Sequence, residues 1–101
     1  MKAANDDLSL KLRAVSDPVR RRILSLLANQ SLSPAGGKHP GMCAADLQHE
    51  IGLAQPTISH HMRILCEAGL VQGSKLGTWM WYSRDEAALR ALSNDLKTFC
   101  R

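Results

Sequence analysis

The segment from Gln55 to Leu65 constrains this chain more than any other. It reads Gln-Pro-Thr-Ile-Ser-His-His-Met-Arg-Ile-Leu. Ile58, Met62 and Leu65 recur at i, i+4 and i+7, the spacing of one apolar stripe on an α-helix. Thr57, Ser59, His60 and Arg63 project from the other side, with hydroxyls, an imidazole and a guanidinium but no carboxylate. A helix anchored by one face and offering short donors on the other is suited to read base edges in a major groove. Gln55 and Pro56 open the helix, where the Gln55 side chain and backbone N–H can meet a phosphate or a base edge. Just upstream, Cys43 to Ile51 predicts a short helix with Leu47 and Ile51 inward. Gly52-Leu53-Ala54 joins the two helices in a tight turn, making a helix-turn-helix.

The flanking segments complete a plan. Asn5-Asp6-Asp7 can cap a first helix whose stripe is Leu8, Leu12 and Val15. Asp17 is a natural N-cap and Pro18 a natural first residue for a second helix running to about Ala28. Val19, Ile23, Leu26 and Leu27 face inward there, and Arg20, Arg21 and Arg22 fall on its less apolar side. Asn29 to Met42 contains Pro34, Pro40, Gly36, Gly37 and Gly41 and no periodic pattern, so it reads as a surface loop, an insertion at about 30–42. Gly69 marks the end of the reading helix. Leu70–Ser74 and Thr78–Ser83 then predict two strands around a basic tip, Lys75-Leu76-Gly77. Ser83 and Glu86 fit a capping box for a last helix. Its apolar residues Leu89, Leu92, Leu96 and Phe99 are spaced three, four and three, an a/d seam that suits packing against another helix. The expected fold is mainly α with a small β-hairpin, in the order α-α-α-α-β-β-α, and the whole of 1–101 forms one domain.

Composition narrows the function classes. The net charge of +4 and a pI of about 9.3 suit a polyanionic partner. No apolar run reaches membrane-spanning length and the N-terminus has no apolar signal core, so the expectation is a cytoplasmic chain with no membrane partner. Three widely spaced cysteines, Cys43, Cys66 and Cys100, are an odd count that argues against a disulfide framework. The chain has no Cys-x-x-Cys pair, no phosphate-binding glycine loop and no nucleophile with a base beside it, so an enzyme is not expected.

Helix, helix, helix-turn-helix, hairpin, helix is a winged-helix plan, and five stretches in order resemble the ArsR/SmtB family of bacterial transcriptional repressors. They are Ser16-Asp17-Pro18-Val19-Arg20-Arg21-Arg22-Ile23-Leu24, Ala45-Asp46-Leu47, Gly52 through Met62, Glu67-Ala68-Gly69-Leu70-Val71, and Gly77-Thr78-Trp79-Met80-Trp81-Tyr82. The resemblance implies a homodimer, joined through its first and last helices, that binds double-stranded operator DNA at an imperfect inverted repeat. It also implies repression relieved by an inducer, often a metal or metalloid ion. The residues expected at the dimer interface are Leu8, Leu12, Leu89, Leu92, Leu96 and Phe99.

The DNA-contact candidates are Gln55, Pro56, Thr57, Ser59, His60 and Arg63 on the reading helix and Lys75, Thr78 and Arg84 on the wing. Alanine at Ala54 stands where the family usually has a serine N-cap. His61 lies beside the apolar stripe and reads as a packed histidine, because neighbours on a helix point about 100° apart and do not readily share an ion. Trp79, Trp81 and Tyr82 read as hairpin packing. Arg21 and Arg22 are weaker phosphate candidates.

The cysteines bear on the inducer. Family members that sense arsenite through the third helix carry Cys-Val-Cys-Asp-Leu, whereas this chain reads Cys43-Ala44-Ala45-Asp46-Leu47, with one thiol of the two. Soft ions prefer two or three thiolates. Three alternatives stand: Cys43 and Cys100 join across the dimer to bind As(III) or another soft metal ion, or to form a disulfide; Cys100 pairs with its own symmetry mate; or all three thiols are inert. The family's zinc site on the last helix needs histidine, and this helix offers only Asp85, Glu86 and Asp95. His39 and His49 are spare candidates. The expected function is therefore a repressor released from operator DNA by a thiol-reactive inducer such as arsenite. The alternatives are a thiol redox-sensing repressor and a winged-helix protein-interaction module with no inducer.

Overall fold

A computed structural model of the chain describes residues 6–29 and 41–100. Helix α1 (Asp7–Ala14) is followed by α2 (Pro18–Asn29), strand β1 (Met42–Cys43), α3 (Ala44–Ile51), α4 (Gln55–Glu67), strands β2 (Val71–Leu76) and β3 (Trp79–Arg84), and α5 (Glu86–Phe99). The three strands form one antiparallel sheet in the order β1-β3-β2.

Local chemistry explains most of the boundaries. Asp6 caps α1, its carboxylate accepting the Ser9 N–H at 2.6 Å. Asp17 caps α2, with Oδ2 accepting the N–H groups of Val19 at 2.8 Å and Arg20 at 3.1 Å. Pro18 follows in the first helical position, where its missing N–H costs nothing. Gly52 closes α3 by donating to the Gln48 carbonyl at 2.9 Å. At the end of α4, Leu70 N–H reaches the Leu65 carbonyl and Gly69 N–H the Cys66 carbonyl, a Schellman closure.

The apolar stripe of α4 forms the centre of the core. Ile58, Met62 and Leu65 are buried with Ile23 and Leu27 of α2, Leu47 of α3, Leu70 and Val71 at the start of the hairpin, and Leu92 of α5. This packing fixes which face of α4 points outward.

The structure departs from the expected plan in five places. Met42 and Cys43 are not the end of a loop and the start of α3; they form β1, pairing Met42 with Tyr82 and Cys43 with Trp81. The entry to this strand requires glycine. Gly41 has φ +127°, and a Cβ there would lie 2.0 Å from the Tyr82 carbonyl oxygen. The hairpin turn is Gly77-Thr78, with Leu76 paired to Trp79, so Lys75 lies within β2. Gly77, at φ +61°, takes the left-handed first position that a two-residue hairpin turn needs. The cap of α5 is Asp85, which accepts the Ala88 N–H at 3.0 Å, because β3 continues through Ser83 to Arg84. Arg20 is buried rather than solvated, at 8% exposure. Trp79 does not pack in the hairpin and is 56% exposed. The remainder of the expected insertion, residues 30–40, lies outside the described residues, and His39 with it.

Candidate nucleic-acid interface

Three elements meet at one groove: α3, the start of α4 and the hairpin turn. On α4, Gln55, Pro56, Thr57, Ser59, His60 and Arg63 are all exposed while Ile58, His61, Met62 and Leu65 are buried. The helix thus presents a continuous polar face with no acidic residue in its first turn. Its positive dipole end is therefore uncompensated and open to an anion. Ala54 holds the N-cap position in an extended conformation, without a side-chain cap.

Between this helix start and the wing lies a groove of about 270 Å³, lined by Ala44, Ala45, Gln48, Gln55, Thr78, Trp79 and Met80. The groove unites the predicted Gln55 and Thr78 with two residues the sequence reading did not assign to DNA, Gln48 and Trp79. Gln48 sits one turn from the end of a helix whose apolar residues face away from it. Its outward position was legible in the period of Leu47 and Ile51, but its approach to the wing depends on the fold of the hairpin. Lys75, exposed on β2 across from Met80, adds a positive charge to the wing.

Arg84 does not join this set. It lies at the base of the hairpin, opposite Val71. Its guanidinium donates from Nη1 to the Leu24 carbonyl and from Nη2 to Glu86 Oε1, each at 3.1 Å, with Nε 3.0 Å from Glu86 Oε2. Those contacts hold the hairpin and α5 to α2.

Behind the exposed face, His61 and Arg20 form a buried polar pair. Arg20 Nη1 lies 3.1 Å from His61 Nδ1. Its Nε donates to the Ala14 carbonyl at 2.7 Å and its Nη2 to the Arg13 carbonyl at 3.1 Å. These are carbonyls of the last turn of α1, which a helix leaves without internal partners. One guanidinium thus ties α1, α2 and α4 together. The charge pattern Arg-Arg-Arg suggests a solvated face and conceals this role. Arg21 remains exposed, with Nη1 donating to the Val15 carbonyl at 2.8 Å.

The candidate dimer residues divide. Leu92 belongs to the core of the protomer, Leu8, Leu12, Leu89 and Leu96 are half-buried against it, and Phe99 is 57% exposed. Of the thiols, Cys43 is buried beside the wing at the N-cap of α3, where its N–H donates to Asp46 Oδ2 at 3.4 Å. Cys100 is exposed at the C-cap of α5. Cys66 is half-buried, and burial pushes its thiol above the usual range, with the neighbouring Glu67 carboxylate adding to the effect. It is a packing residue rather than a ready thiolate. Among the described residues, no three His, Cys, Asp or Glu side chains gather to hold a metal ion. Among the same residues, no helix is long and apolar enough to cross a membrane.

Comparison with known proteins places this arrangement among regulators of transcription. Residues 15–73 match the family model of a helix-turn-helix domain. An uncharacterized HTH-type transcriptional regulator of Methanocaldococcus jannaschii is 41% identical over 70 residues, covering 69% of this chain and 68% of that protein. An arsenical resistance operon repressor of Staphylococcus aureus is 36% identical over 90 residues, covering 89% and 77% respectively. Among solved structures, the homodimeric winged helix-turn-helix DNA-binding domain of a possible ArsR-family regulator from Mycobacterium bovis superposes with a TM-score of 0.71. Its identity is 22%, covering 95% of this chain and 81% of that one.

Proposed function

Because the chain belongs to the ArsR family of winged helix-turn-helix transcriptional repressors, we propose that it acts as a homodimer on an inverted-repeat operator and that a thiol-reactive inducer releases it. One observation carries the DNA part of this reading: the buried stripe of α4 leaves Thr57, Ser59, His60 and Arg63 outward, while Gln55 at the start of the same helix lines the groove to the wing. In the bound state α4 lies in the major groove. Thr57, Ser59, His60 and Arg63 meet base edges and phosphates there. Gln55, Gln48 and Thr78 engage the sugar-phosphate strand that runs between major and minor grooves, and Lys75 follows that strand along the wing. Trp79 packs on its deoxyribose.

Unfinished burial at the end of α5 supports the dimer. Phe99 is left in water at the end of a seam whose other members are already half-covered. A second copy joined there sets the two α4 helices one turn of DNA apart, about 34–36 Å. The relative from M. bovis, described as homodimeric, supports this assembly.

For the inducer, the pattern at α3 keeps one thiol of the family's arsenite pair. Two thiolates are the minimum a soft ion favours, and the exposed Cys100 of the partner subunit is the second in this reading. The S. aureus relative, an arsenical resistance operon repressor, supports the choice of probe. Binding of the inducer across the dimer favours a placement of the protomers that no longer matches successive grooves, which weakens DNA binding by linkage.

Fluorescence anisotropy of the reduced protein on DNA from upstream of its own gene, with and without arsenite, tests both parts. The expected result is tight binding that falls with salt and is reversed by arsenite in wild type but not in Cys43→Ser or Cys100→Ser. Tight binding indifferent to arsenite removes the inducer assignment and leaves the repressor. No preference over random duplex removes the operator reading and leaves a protein-interaction module.

A further inference from the structure

The His61–Arg20 pair is not needed to contact DNA, yet it sits directly behind the helix that does. An arginine side chain only donates hydrogen bonds, so the 3.1 Å contact requires His61 Nδ1 to be bare and to accept. His61 is therefore neutral in this arrangement, with its proton on Nε2. Burial is the largest influence on the ring and pushes its pKa below the ordinary histidine value; Asp17 opposes this, and Arg20 and His60 reinforce it.

The charged neighbours of His61 can be named from each side. Asp17, in the turn before α2, places Oδ2 3.9 Å from Nδ1. Burial pushes the Asp17 carboxyl up, but the N–H groups of Arg20 and Val19, together with the charges of His61 and Arg20, outweigh this and hold it below its ordinary value. Arg20 comes from α2, and His60 from α4 itself, its ring 5.7 Å from that of His61. From α1 come the Arg13 and Ala14 carbonyls, through Arg20.

We infer that Arg20 and His61 are a positioning pair that fixes the reading helix against the N-terminal helices and makes DNA binding sensitive to protons. The inference rests on the operator-binding reading above. A proton taken up by His61 goes to Nδ1, the one ring nitrogen that is free. The ring then presents an N–H to an Arg20 N–H, and two positive charges face each other at hydrogen-bond distance. Asp17 is the nearest acceptor, its Oδ2 3.9 Å from the same nitrogen. The ring turns toward it, Arg20 loses a partner, and α4 exchanges its tie to α1 through Arg20 for one to the N-cap of α2. Thr57, Ser59, His60 and Arg63 move with the helix.

Two measurements test this. The first is a histidine-ring nitrogen NMR titration of the DNA-free protein between about pH 8 and pH 5, following α4 amides in the same samples. The expected result is a bare Nδ1 at neutral pH, a midpoint below the ordinary histidine range, and Ile58 and Met62 amides that shift with that midpoint. A proton on Nδ1 at neutral pH, or α4 amides indifferent to the titration, overturns the pair. The second is anisotropy against pH for wild type and His61→Asn, whose carbonyl oxygen takes the place of Nδ1 but cannot titrate. If only the neutral form binds, wild-type affinity falls about tenfold per pH unit below the midpoint, and His61→Asn lacks this fall. Identical pH profiles overturn the inference. If no duplex is bound at any pH, the operator reading fails, and the wild-type NMR titration alone decides whether the pair positions α4.

Discussion

Replacing Ala54 by serine should stabilise the protein, and its structure sets the size of the effect. Ala54 is exposed and extended, at φ −65° and ψ 153°, which is the conformation of an N-cap residue. A serine hydroxyl fits without displacing anything. An N-cap ordinarily serves the N–H of the second or third helical residue. Here the second is Pro56, which has none, so only Thr57 remains, and its N–H already contacts the Ala54 carbonyl at 3.0 Å. The gain therefore belongs to the lower part of the usual range of about 0.5–2 kcal/mol, roughly 0.5–1 kcal/mol. For a domain of this size each kcal/mol raises Tm by about 4–8 °C, so a rise of about 2–8 °C is expected. The assay is thermal denaturation by circular dichroism at one fixed protein concentration, because the proposed dimer would make Tm depend on concentration. A Tm equal to or below that of wild type would show that α4 does not start where described, or that the bond to the Ala54 carbonyl leaves the Thr57 N–H nothing to gain from a hydroxyl.

Three further outcomes are expected. Ile58→Ala, which empties a fully buried position under the reading helix, should cost about 2–5 kcal/mol in urea unfolding; a cost below about 1 kcal/mol would place Ile58 outside the core. Trp79→Ala should leave Tm within about 2 °C of wild type, because the ring is largely in water, yet weaken operator binding severalfold; unchanged affinity would remove Trp79 from the interface. Stability should be complete above about pH 6.5 and decline as pH falls below it. The sign follows from burial, which lowers the folded pKa of His61, so that the unfolded chain binds the proton more readily. His61→Asn should flatten that part of a pH–stability curve measured in urea, and a slope that persists in it would assign the decline to another group.

Much of the interface was legible in the residues because it depends on short-range periodicity. The i, i+4, i+7 spacing of Ile58, Met62 and Leu65 settles the inward face of α4 and hence the outward one. Asp17-Pro18, Gly52 and Gly69 punctuate the helices through local chemistry alone. What was not legible depends on distant partners. Met42 and Cys43 carry no strand pattern; they become β1 because Tyr82 and Trp81, about forty residues later, present an open strand edge. The position of the turn, and with it the cap of α5, depends on a register that pairs Val71 with Arg84 and so carries β3 past Ser83. Arg20 reads as a surface charge until the carbonyls at the end of α1 and the ring of His61 are brought to it. Arg84 likewise reads as part of a basic wing until its contacts with Leu24 and Glu86 are formed. Trp79 reads as packing because aromatic residues in hairpins usually pack; its place beside the turn lies past the end of β1, which pairs only with Trp81 and Tyr82.

Whether the outward face of α4 and the wing together read DNA is decided by backbone amide NMR. DNA from upstream of the gene would be titrated into the labelled protein at moderate salt. Shift changes are expected to concentrate at Gln55, Thr57, Ser59, His60 and Arg63, with a second group at Lys75, Thr78 and Trp79 and a smaller effect at Gln48. Changes confined to α5 around Phe99, or none with operator DNA beyond those with random duplex, would contradict it.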